Sequence, residues 1–225
     1  MTVYLMEYGP HVNTIGDMAT YIWTCLENME ATFPVVLLGL SMGGFVAQAM
    51  YRQKPSLVTG IIFLSTTSIT AGDLYEPLLD PSTLIKNLKL WTMSSKQYRK
   101  KMIQDITDMH FDGQLPIPLD EYLHVMENSS ISKEMYAKEW GAILAFAVSN
   151  VSPGIVRSIK PPVLLIYGSE DPVIPAESIR RLRNARSAAS FTEVEIPGKG
   201  HGAMYEAPVI FTQAITKWAK DMSFI

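Results

Sequence analysis

The sequence contains one cysteine and no long run of basic or apolar residues. Cys25 cannot close a disulfide within the chain, and its apolar helical neighbours predict a buried thiol. No stripe of Lys or Arg is present and the net charge is -3, so we expect no nucleic-acid and no membrane partner. No apolar run approaches about 20 residues, the length of a transmembrane helix. The first residues lack the basic segment of a signal peptide, which favours a cytoplasmic protein.

Apolar residues are abundant: they make up 48% of 225 residues, enough for one well-packed core but too short a chain for two ordinary domains. Short apolar runs alternate with segments of helical periodicity. The continuous runs at 35–38, 58–64 and 163–167 predict strands buried on both faces. The alternating pattern at 192–196 predicts an edge strand, and residues 3–6 predict a further short one. This order favours an α/β fold with a mainly parallel sheet and flanking helices.

The segment from 84 to 150 lacks buried-strand runs. Its helical pattern is rich in Met, Trp and Tyr and is interrupted by glycine and proline. We therefore divide the chain into an α/β core, residues 1–83 and 151–225, and a helical insertion, residues 84–150. The insertion follows one core strand and precedes the next, so we predict that it caps a pocket beyond the strand ends. Additional cover for the core is the alternative.

A glycine-rich turn at 39–44 links a predicted buried strand to a predicted helix. Residues 39–43 read Gly-Leu-Ser-Met-Gly, the G-x-S-x-G pattern of a nucleophilic serine on a tight strand-to-helix turn. We expect glycine at 39 and 43 because a Cβ would collide there, and at 44 because the helix packs close to the sheet. The turn predicts Ser41 as nucleophile and the Met42 amide, at a helix N-terminus, as an oxyanion donor.

A serine nucleophile needs a histidine base oriented by a third group. His201 is the best candidate, because three glycines in residues 198–202 indicate a loop that places an imidazole after the edge strand. His110 and His124 are expected at the surface of the insertion. His11 is expected in an N-terminal loop, where it faces either the pocket or solvent.

The orienting acid is expected directly after a strand that lies between the serine and the histidine in sequence. Residues 168–172 follow such a strand and offer two carboxylates, Asp171 and Glu170. We predict Asp171, with Glu170 as the alternative. Residues 65–67, which follow the strand at 58–64, contain no acid.

Three segments together resemble the α/β-hydrolase superfamily. They are Gly-Leu-Ser-Met-Gly-Gly at 39–44, Pro-Val-Leu-Leu-Ile-Tyr-Gly-Ser-Glu-Asp-Pro-Val-Ile-Pro at 162–175, and Gly-His at 200–201. The chain is most similar to capped esterases related to pimeloyl-carrier-protein methyl esterases and haloperoxidase-like hydrolases. The resemblance implies a triad, one oxyanion donor, no cofactor and no metal. The residues that it implies are Ser41, Asp171, His201 and Met42.

The sequence departs from this family before the nucleophile strand. Family members have several further strands there, and an oxyanion loop after the third, whereas only about 34 residues precede Val35. Unpaired backbone groups cost about 1–3 kcal/mol each when buried. We therefore expect residues 3–6 to pair directly beside residues 35–38, bringing residues 9–11 near Ser41. The alternative is an empty sheet position and an impaired oxyanion hole.

The expected reaction is hydrolysis of a carboxylic ester or thioester through an acyl-enzyme. The substrate is a small molecule, and the composition of the insertion suggests an apolar acyl or aromatic group. The alternative is that the Met and aromatic residues of the insertion only pack against one another. Hydrolysis of a carbon–carbon bond by the same triad and a ligand-binding pseudoenzyme are the other interpretations. The predicted substrate-binding residues are Trp91, Met93 and Trp140.

Overall fold

The computed structural model describes residues 2–5, 11–73, 92–94, 97–98, 100–101, 104, 121, 133–174, 176–185 and 191–225. The described elements include four strands and seven helices longer than three residues. In chain order they are α1 (Ile15–Asn28), β1 (Val35–Leu40), α2 (Met42–Gln53), β2 (Val58–Leu64), α3 (Lys133–Val148), α4 (Ser152–Ser158), β3 (Val163–Gly168), α5 (Ala176–Asn184), β4 (Phe191–Ile196), α6 (Ala203–Glu206) and α7 (Pro208–Asp221).

The four described strands form one parallel sheet in the order β1-β2-β3-β4. Leu37 lies opposite Ile61, Ile61 opposite Val163, and Val163 opposite Phe191. The predicted α/β class and the edge position of the fourth strand are therefore confirmed. Because the strands are parallel, the residues that follow each of them meet at one edge of the sheet, where ligands bind in such folds.

Both faces of β2 and β3 are buried, as their continuous apolar runs predicted. One face, which includes Ile61 and Leu165, packs in a cluster with residues of α1 and α2. The opposite face, which includes Leu64 and Leu164, packs against Trp218 and its neighbours on α7. The sheet therefore has helices on both sides, which holds the strand ends in fixed positions.

The sequence predicts a helix from about Thr14, where Thr14 and Asp17 resemble a capping box, and helix α1 begins there. Thr14 is the N-cap, and its side chain accepts a hydrogen bond from the Asp17 amide at 3.0 Å. The apolar face includes buried Ile15 and Trp23. Cys25, expected to be buried, is only partly so, because it lies off that face.

Strand β1 is at the edge of the described sheet, and the predicted pairing with the N-terminal segment is wrong. Val3, Tyr4 and Leu5 belong to no strand, and β1 pairs only with β2 among the described strands. The other predicted strand residue, Met6, lies outside the described residues. Val36 and Leu38 on β1 are 36% and 54% exposed, so the prediction that the strand at 35–38 is buried on both faces is also wrong. The expectation assumed a buried strand edge, but exposure of these side chains indicates that water reaches this part of the sheet.

Much of the insertion lies outside the described residues, and the structure does not test the proposed domain division. Its last helix, α3, packs against the core through Ala142, Phe146 and Ala147, all buried. No single helix in the described part of the chain is long and apolar enough to cross a membrane. The consecutive helices Glu134–Val148 and Ser152–Ser158, bent by 71°, reach that length and composition only together.

Candidate active site

Ser41 occupies the turn between β1 and α2 in a strained backbone conformation. Its φ is 50° and its ψ is -118°, a region that side-chain-bearing residues rarely adopt. The Ser41 amide donates to the Leu64 carbonyl at 2.9 Å, which ties the turn to the end of β2. This strained position is the one expected for a nucleophilic serine at a strand-to-helix turn.

The glycines of the turn differ in how closely other atoms approach them. A Cβ at Gly39 would lie 2.3 Å from the Gly43 carbonyl oxygen, and one at Gly44 would lie 2.4 Å from the Thr66 side chain. The expected collision at Gly43 is wrong, because nothing lies within 4 Å of a Cβ built there. The Gly43 carbonyl is the group that a Cβ at Gly39 would meet. The contact between the two residues therefore requires glycine at 39 but not at 43.

His201 and Asp171 form a buried pair beyond the ends of β3 and β4. His201 Nδ1 lies 2.8 Å from Asp171 Oδ2, and the two side chains are 2% and 1% exposed. The other carboxylate oxygen, Oδ1, accepts hydrogen bonds from the Val173 and Ile174 amides at 2.8 and 2.9 Å. Both oxygens of the carboxylate are therefore engaged, which fixes its orientation toward the imidazole.

The contact with His201 favours Asp171 over Glu170 as the orienting acid. The Glu170 side chain is exposed, and its amide donates to the Lys199 carbonyl at 2.9 Å. In the neutral tautomer whose Nδ1–H donates to the Asp171 carboxylate, Nε2 is the ring nitrogen that accepts a proton. The pair has the geometry of a general base and the group that orients it.

The loop that carries His201 crosses closely over the end of β3. A Cβ at Gly168 would lie 2.0 Å from the Lys199 carbonyl oxygen, so only glycine fits beneath the loop. The Ser169 hydroxyl accepts from the Gly198 amide at 2.8 Å. The crossing takes the chain from the outer strand β4 back toward the middle of the sheet.

Two residues near this site were missed by the sequence reasoning. Glu206 Oε1 accepts from the Gly200 amide at 3.1 Å, directly before His201. Thr66 is fully buried, and its hydroxyl donates to the Ser41 carbonyl at 2.8 Å. In the sequence, Glu206 is visible only as a carboxylate five residues after His201, and Thr66 only as part of a hydroxyl-rich run after β2. Neither feature predicts which backbone group the side chain binds.

The model of the Hydrolase_4 family, described as serine aminopeptidase, S33, matches residues 10–208. The chain belongs to this family. It is an α/β-hydrolase, as the turn at Ser41 and the strand order indicated.

Known proteins of related sequence and structure agree with the family. The chain is 22% identical over 212 residues to the uncharacterized hydrolase YugF of Bacillus subtilis (strain 168), covering 93% of this chain and 73% of that one. An esterase from Thermogutta terrifontis superposes with a TM-score of 0.68 and 21% identity, covering 96% and 75% of the two chains. A meta-cleavage product hydrolase from Pseudomonas fluorescens IP01 has a TM-score of 0.68 and 16% identity, covering 96% and 75%. These two likenesses show the fold.

Among the described residues of the hydrolase, no histidine other than His201 lies in the candidate site. His11 is exposed, and its ring lies edge-on to Tyr21, with the centroids 5.6 Å apart. His110 and His124 lie outside the described residues, as do Gly9 and Pro10 of the proposed oxyanion loop. A role for His11 in a pocket is therefore not supported by its surroundings.

Two of the three predicted substrate-binding residues of the hydrolase, Met93 and Trp140, lie in an aromatic cluster of the insertion. Met93 packs against Tyr98, and Trp140 lies edge-on to Tyr136, with ring centroids 6.1 Å apart. Burial raises the pKa of Tyr98 to about 12, and burial also raises the pKa of Glu139 beside Trp140. Trp140 is 45% exposed and Trp91 lies outside the described residues. The substrate-binding role of all three residues stays a prediction.

A groove of about 710 Å³ lies at the other end of the sheet. Its lining includes Val58 and Pro161, which stand at or before the first residues of β2 and β3. Ser41 follows the last residue of β1, so this groove and the catalytic candidates are at opposite strand ends. Within the described residues, no group of three or more His, Cys, Asp or Glu could hold a metal ion.

Proposed function

We propose that this α/β-hydrolase cleaves a carboxylic ester or thioester through an acyl-enzyme formed on Ser41. The observation that carries the proposal is the buried His201–Asp171 pair in a chain whose Ser41 has the strained backbone of a nucleophile turn. A base oriented by a carboxylate activates a serine hydroxyl, which is a weak nucleophile by itself. Membership of a hydrolase family supports the same reaction class.

The proposed reaction proceeds in two half-reactions. Ser41 Oγ attacks the substrate carbonyl carbon while His201 Nε2 takes the hydroxyl proton, and the imidazolium is stabilised by Asp171. The Met42 amide, in the first residue of α2, donates to the oxyanion of the tetrahedral intermediate. His201 returns the proton to the leaving alcohol or thiol. Water then attacks the acyl-enzyme with His201 again acting as base, and the acid is released.

The test is labelling by a fluorophosphonate probe combined with turnover of short p-nitrophenyl esters. Wild-type protein should be labelled at Ser41 and should turn over the esters. Ser41→Ala should lose labelling and at least about 10⁴-fold in turnover, because a triad member is removed. Ser158→Ala is the matched control, since the Ser158 hydroxyl donates to the Ile155 carbonyl at 2.7 Å and Ser158 lines the groove at the opposite end of the sheet.

Two results would contradict this proposal. Ser41→Ala protein that keeps a tenth of wild-type turnover would show that another group is the nucleophile. Folded wild-type protein that takes no probe and cleaves no ester would favour the pseudoenzyme interpretation.

Hydrolysis of a carbon–carbon bond is the second candidate. Similarity in fold to a meta-cleavage product hydrolase supports it, since the same nucleophile, base and acid serve both reactions. Vinylogous 1,5-diketones and aryl esters should be assayed side by side on one protein preparation. A kcat/KM at least about tenfold higher for the diketone would replace the ester proposal.

We further propose that the acyl or aromatic group of the substrate is apolar. The insertion supports this through its apolar residues Met93 and Trp140 beside Tyr98 and Tyr136. Trp140→Ala should raise KM for phenylacetate-type esters several-fold and leave KM for acetate esters unchanged. Leu144→Ala on the same helix, 39% exposed, is the control. Equal effects of the two substitutions would assign Trp140 to packing.

A further inference from the structure

We propose that Thr66 is a positioning residue for the oxyanion hole, acting through the peptide group that joins Ser41 to Met42. The inference rests on the proposed function, because it needs Ser41 as nucleophile and the Met42 amide as oxyanion donor. Thr66 touches neither the substrate nor the reacting hydroxyl. It acts on the carbonyl at the other side of the same peptide plane.

The Ser41 carbonyl has two donors. The Thr66 hydroxyl donates to it at 2.8 Å, and the Gly44 amide donates to it at 2.9 Å. Thr66 is fully buried, so water does not compete for its hydroxyl. The Gly44 bond belongs to the first turn of α2 and is local, whereas the Thr66 bond connects the turn to the chain after β2.

Peptide geometry transmits this contact to the oxyanion donor. In a trans peptide the C=O of one residue and the N–H of the next lie in one plane and point in opposite directions. Fixing the Ser41 carbonyl therefore fixes the direction of the Met42 N–H. A hydrogen bond to the carbonyl also polarises the amide, which strengthens its N–H as a donor.

The peptide plane needs such a restraint because its residue is strained. Ser41 combines a φ of 50° with a ψ of -118°, whereas the commoner left-handed conformation has a ψ of about +47°. Rotation of the plane about ψ toward that conformation would relieve strain and turn the Met42 N–H away. The Ser41 amide is held by the Leu64 carbonyl, on the strand that leads to Thr66. The end of β2 thus holds the nucleophile residue by both its N–H and its C=O.

The backbone after β2 is shaped for this contact. Ser65 has a φ of 41°, and its amide donates to the Ile166 carbonyl at 2.9 Å. The Thr66 side chain then lies so close to Gly44 that a Cβ there would be 2.4 Å from both Cγ2 and Oγ1. The methyl group and the hydroxyl oxygen of Thr66 therefore both pack on Gly44, and the hydroxyl in addition donates to the Ser41 carbonyl.

The neighbouring Thr67 supplies a matched control. It is also buried, and its hydroxyl donates to a backbone carbonyl, that of Ser178, at 2.6 Å. That carbonyl belongs to α5 and not to the nucleophile turn. The Thr67 hydroxyl also donates to the Ser68 carbonyl, at 3.3 Å. Thr66→Val and Thr67→Val thus each remove one buried hydroxyl that donates to backbone carbonyls, but only the first affects the Ser41–Met42 peptide.

The experiment compares ester turnover with the binding of a trifluoromethyl ketone, which forms a tetrahedral adduct whose oxyanion needs the same donor. Thr66→Val should lower kcat about 10- to 100-fold. This loss is no greater than the loss in kcat expected when an oxyanion donor is removed completely. KM should stay within about twofold, and the Ki of the ketone should rise by the factor that kcat/KM falls. Thr67→Val should keep kcat within about twofold at a similar loss of thermal stability.

The conservative variants separate the hydroxyl from the methyl. Thr66→Ser should retain at least half of wild-type kcat, and Thr66→Ala should lose as much as Thr66→Val. If the valine variant does not fold, the serine and alanine variants give the same comparison. Equal kcat for the serine and alanine variants, or a loss that appears in KM alone, would overturn the role of Thr66.

Fluorophosphonate labelling of the wild type distinguishes a failure of the positioning role of Thr66 from a failure of the proposed function. Labelled, active wild-type protein with no difference between Thr66→Val and Thr67→Val would remove only the positioning role. Wild-type protein that is neither labelled nor active would remove the proposed function and this inference together.

Discussion

At the scale of single residues, burial and hydrogen bonds distinguish the two acidic residues that were candidates for orienting His201. Asp171 and Glu170 are neighbours at the end of β3, yet only the Asp171 side chain is buried against the imidazole. Its second oxygen is held by the Val173 and Ile174 amides. An aspartate held in this way presents one oxygen to Nδ1 without the entropy cost of ordering a free side chain.

We therefore expect Asp171→Asn to lower kcat by about 10⁴-fold, because an amide that donates to Nδ1 selects the wrong imidazole tautomer. Glu170→Gln makes the same chemical change one residue earlier in an exposed side chain, and it should keep kcat within about twofold. Steady-state kinetics on a p-nitrophenyl ester measures both. A loss at Glu170→Gln that equals or exceeds the loss at Asp171→Asn would reverse the assignment.

At the scale of secondary-structure elements, the turn between β1 and α2 has the close approach predicted at Gly44 but not the one predicted at Gly43. Gly43 and Gly44 are adjacent in the first turn of α2. A Cβ at Gly44 would meet the Thr66 side chain, whereas a Cβ at Gly43 would meet nothing within 4 Å. The helix packs against the residues after β2 through Gly44 alone of this pair.

Gly44→Ala should consequently destabilise the protein by about 1–3 kcal/mol, the usual cost of overpacking, and should lower kcat by displacing Thr66. Gly43→Ala should be neutral or stabilising by up to about 1 kcal/mol, because alanine favours a helix more than glycine does. Urea unfolding followed by circular dichroism measures the free energy of unfolding of each variant. If the two variants were equally unstable, the packing of Thr66 on Gly44 would be incorrect.

At the scale of the whole molecule, one face of the strand that precedes Ser41 is exposed. In the described part of the chain β1 and β4 are the two edge strands, and β1 leads into the turn at Ser41. On β1, Leu37 is 8% exposed while Leu38 is 54% exposed. Successive side chains of a strand point to opposite faces, so one face of β1 is covered and the other faces solvent.

Leu38→Lys should change the free energy of unfolding by no more than about 0.5 kcal/mol, as is usual for exposed positions. Leu37→Lys should destabilise the protein severely, because it places a charge in the core between the sheet and helices α1 and α2. Thermal unfolding of the two variants provides the comparison. Severe destabilisation by Leu38→Lys would mean that this face of β1 is covered in the folded protein.

The sequence by itself determined the α/β class, the start of α1, the buried middle strands, and the turn at Ser41. These features depend on local patterns: apolar periodicity, a capping side chain, and glycines around a serine. Asp171 was also selected from sequence, since it follows a strand at the expected place in the chain. The contact with His201 agrees with that selection.

Only the tertiary structure decided which groups surround these local features. Residues 3–5 do not pair with β1, because an edge open to water leaves no buried backbone groups that demand a partner. Gly43 is free of contact and Gly44 is not, because Thr66 arrives from the end of another strand. Contacts between segments distant in sequence depend on the strand order of the sheet and on which of its faces are covered. Neither property can be predicted from a local sequence pattern.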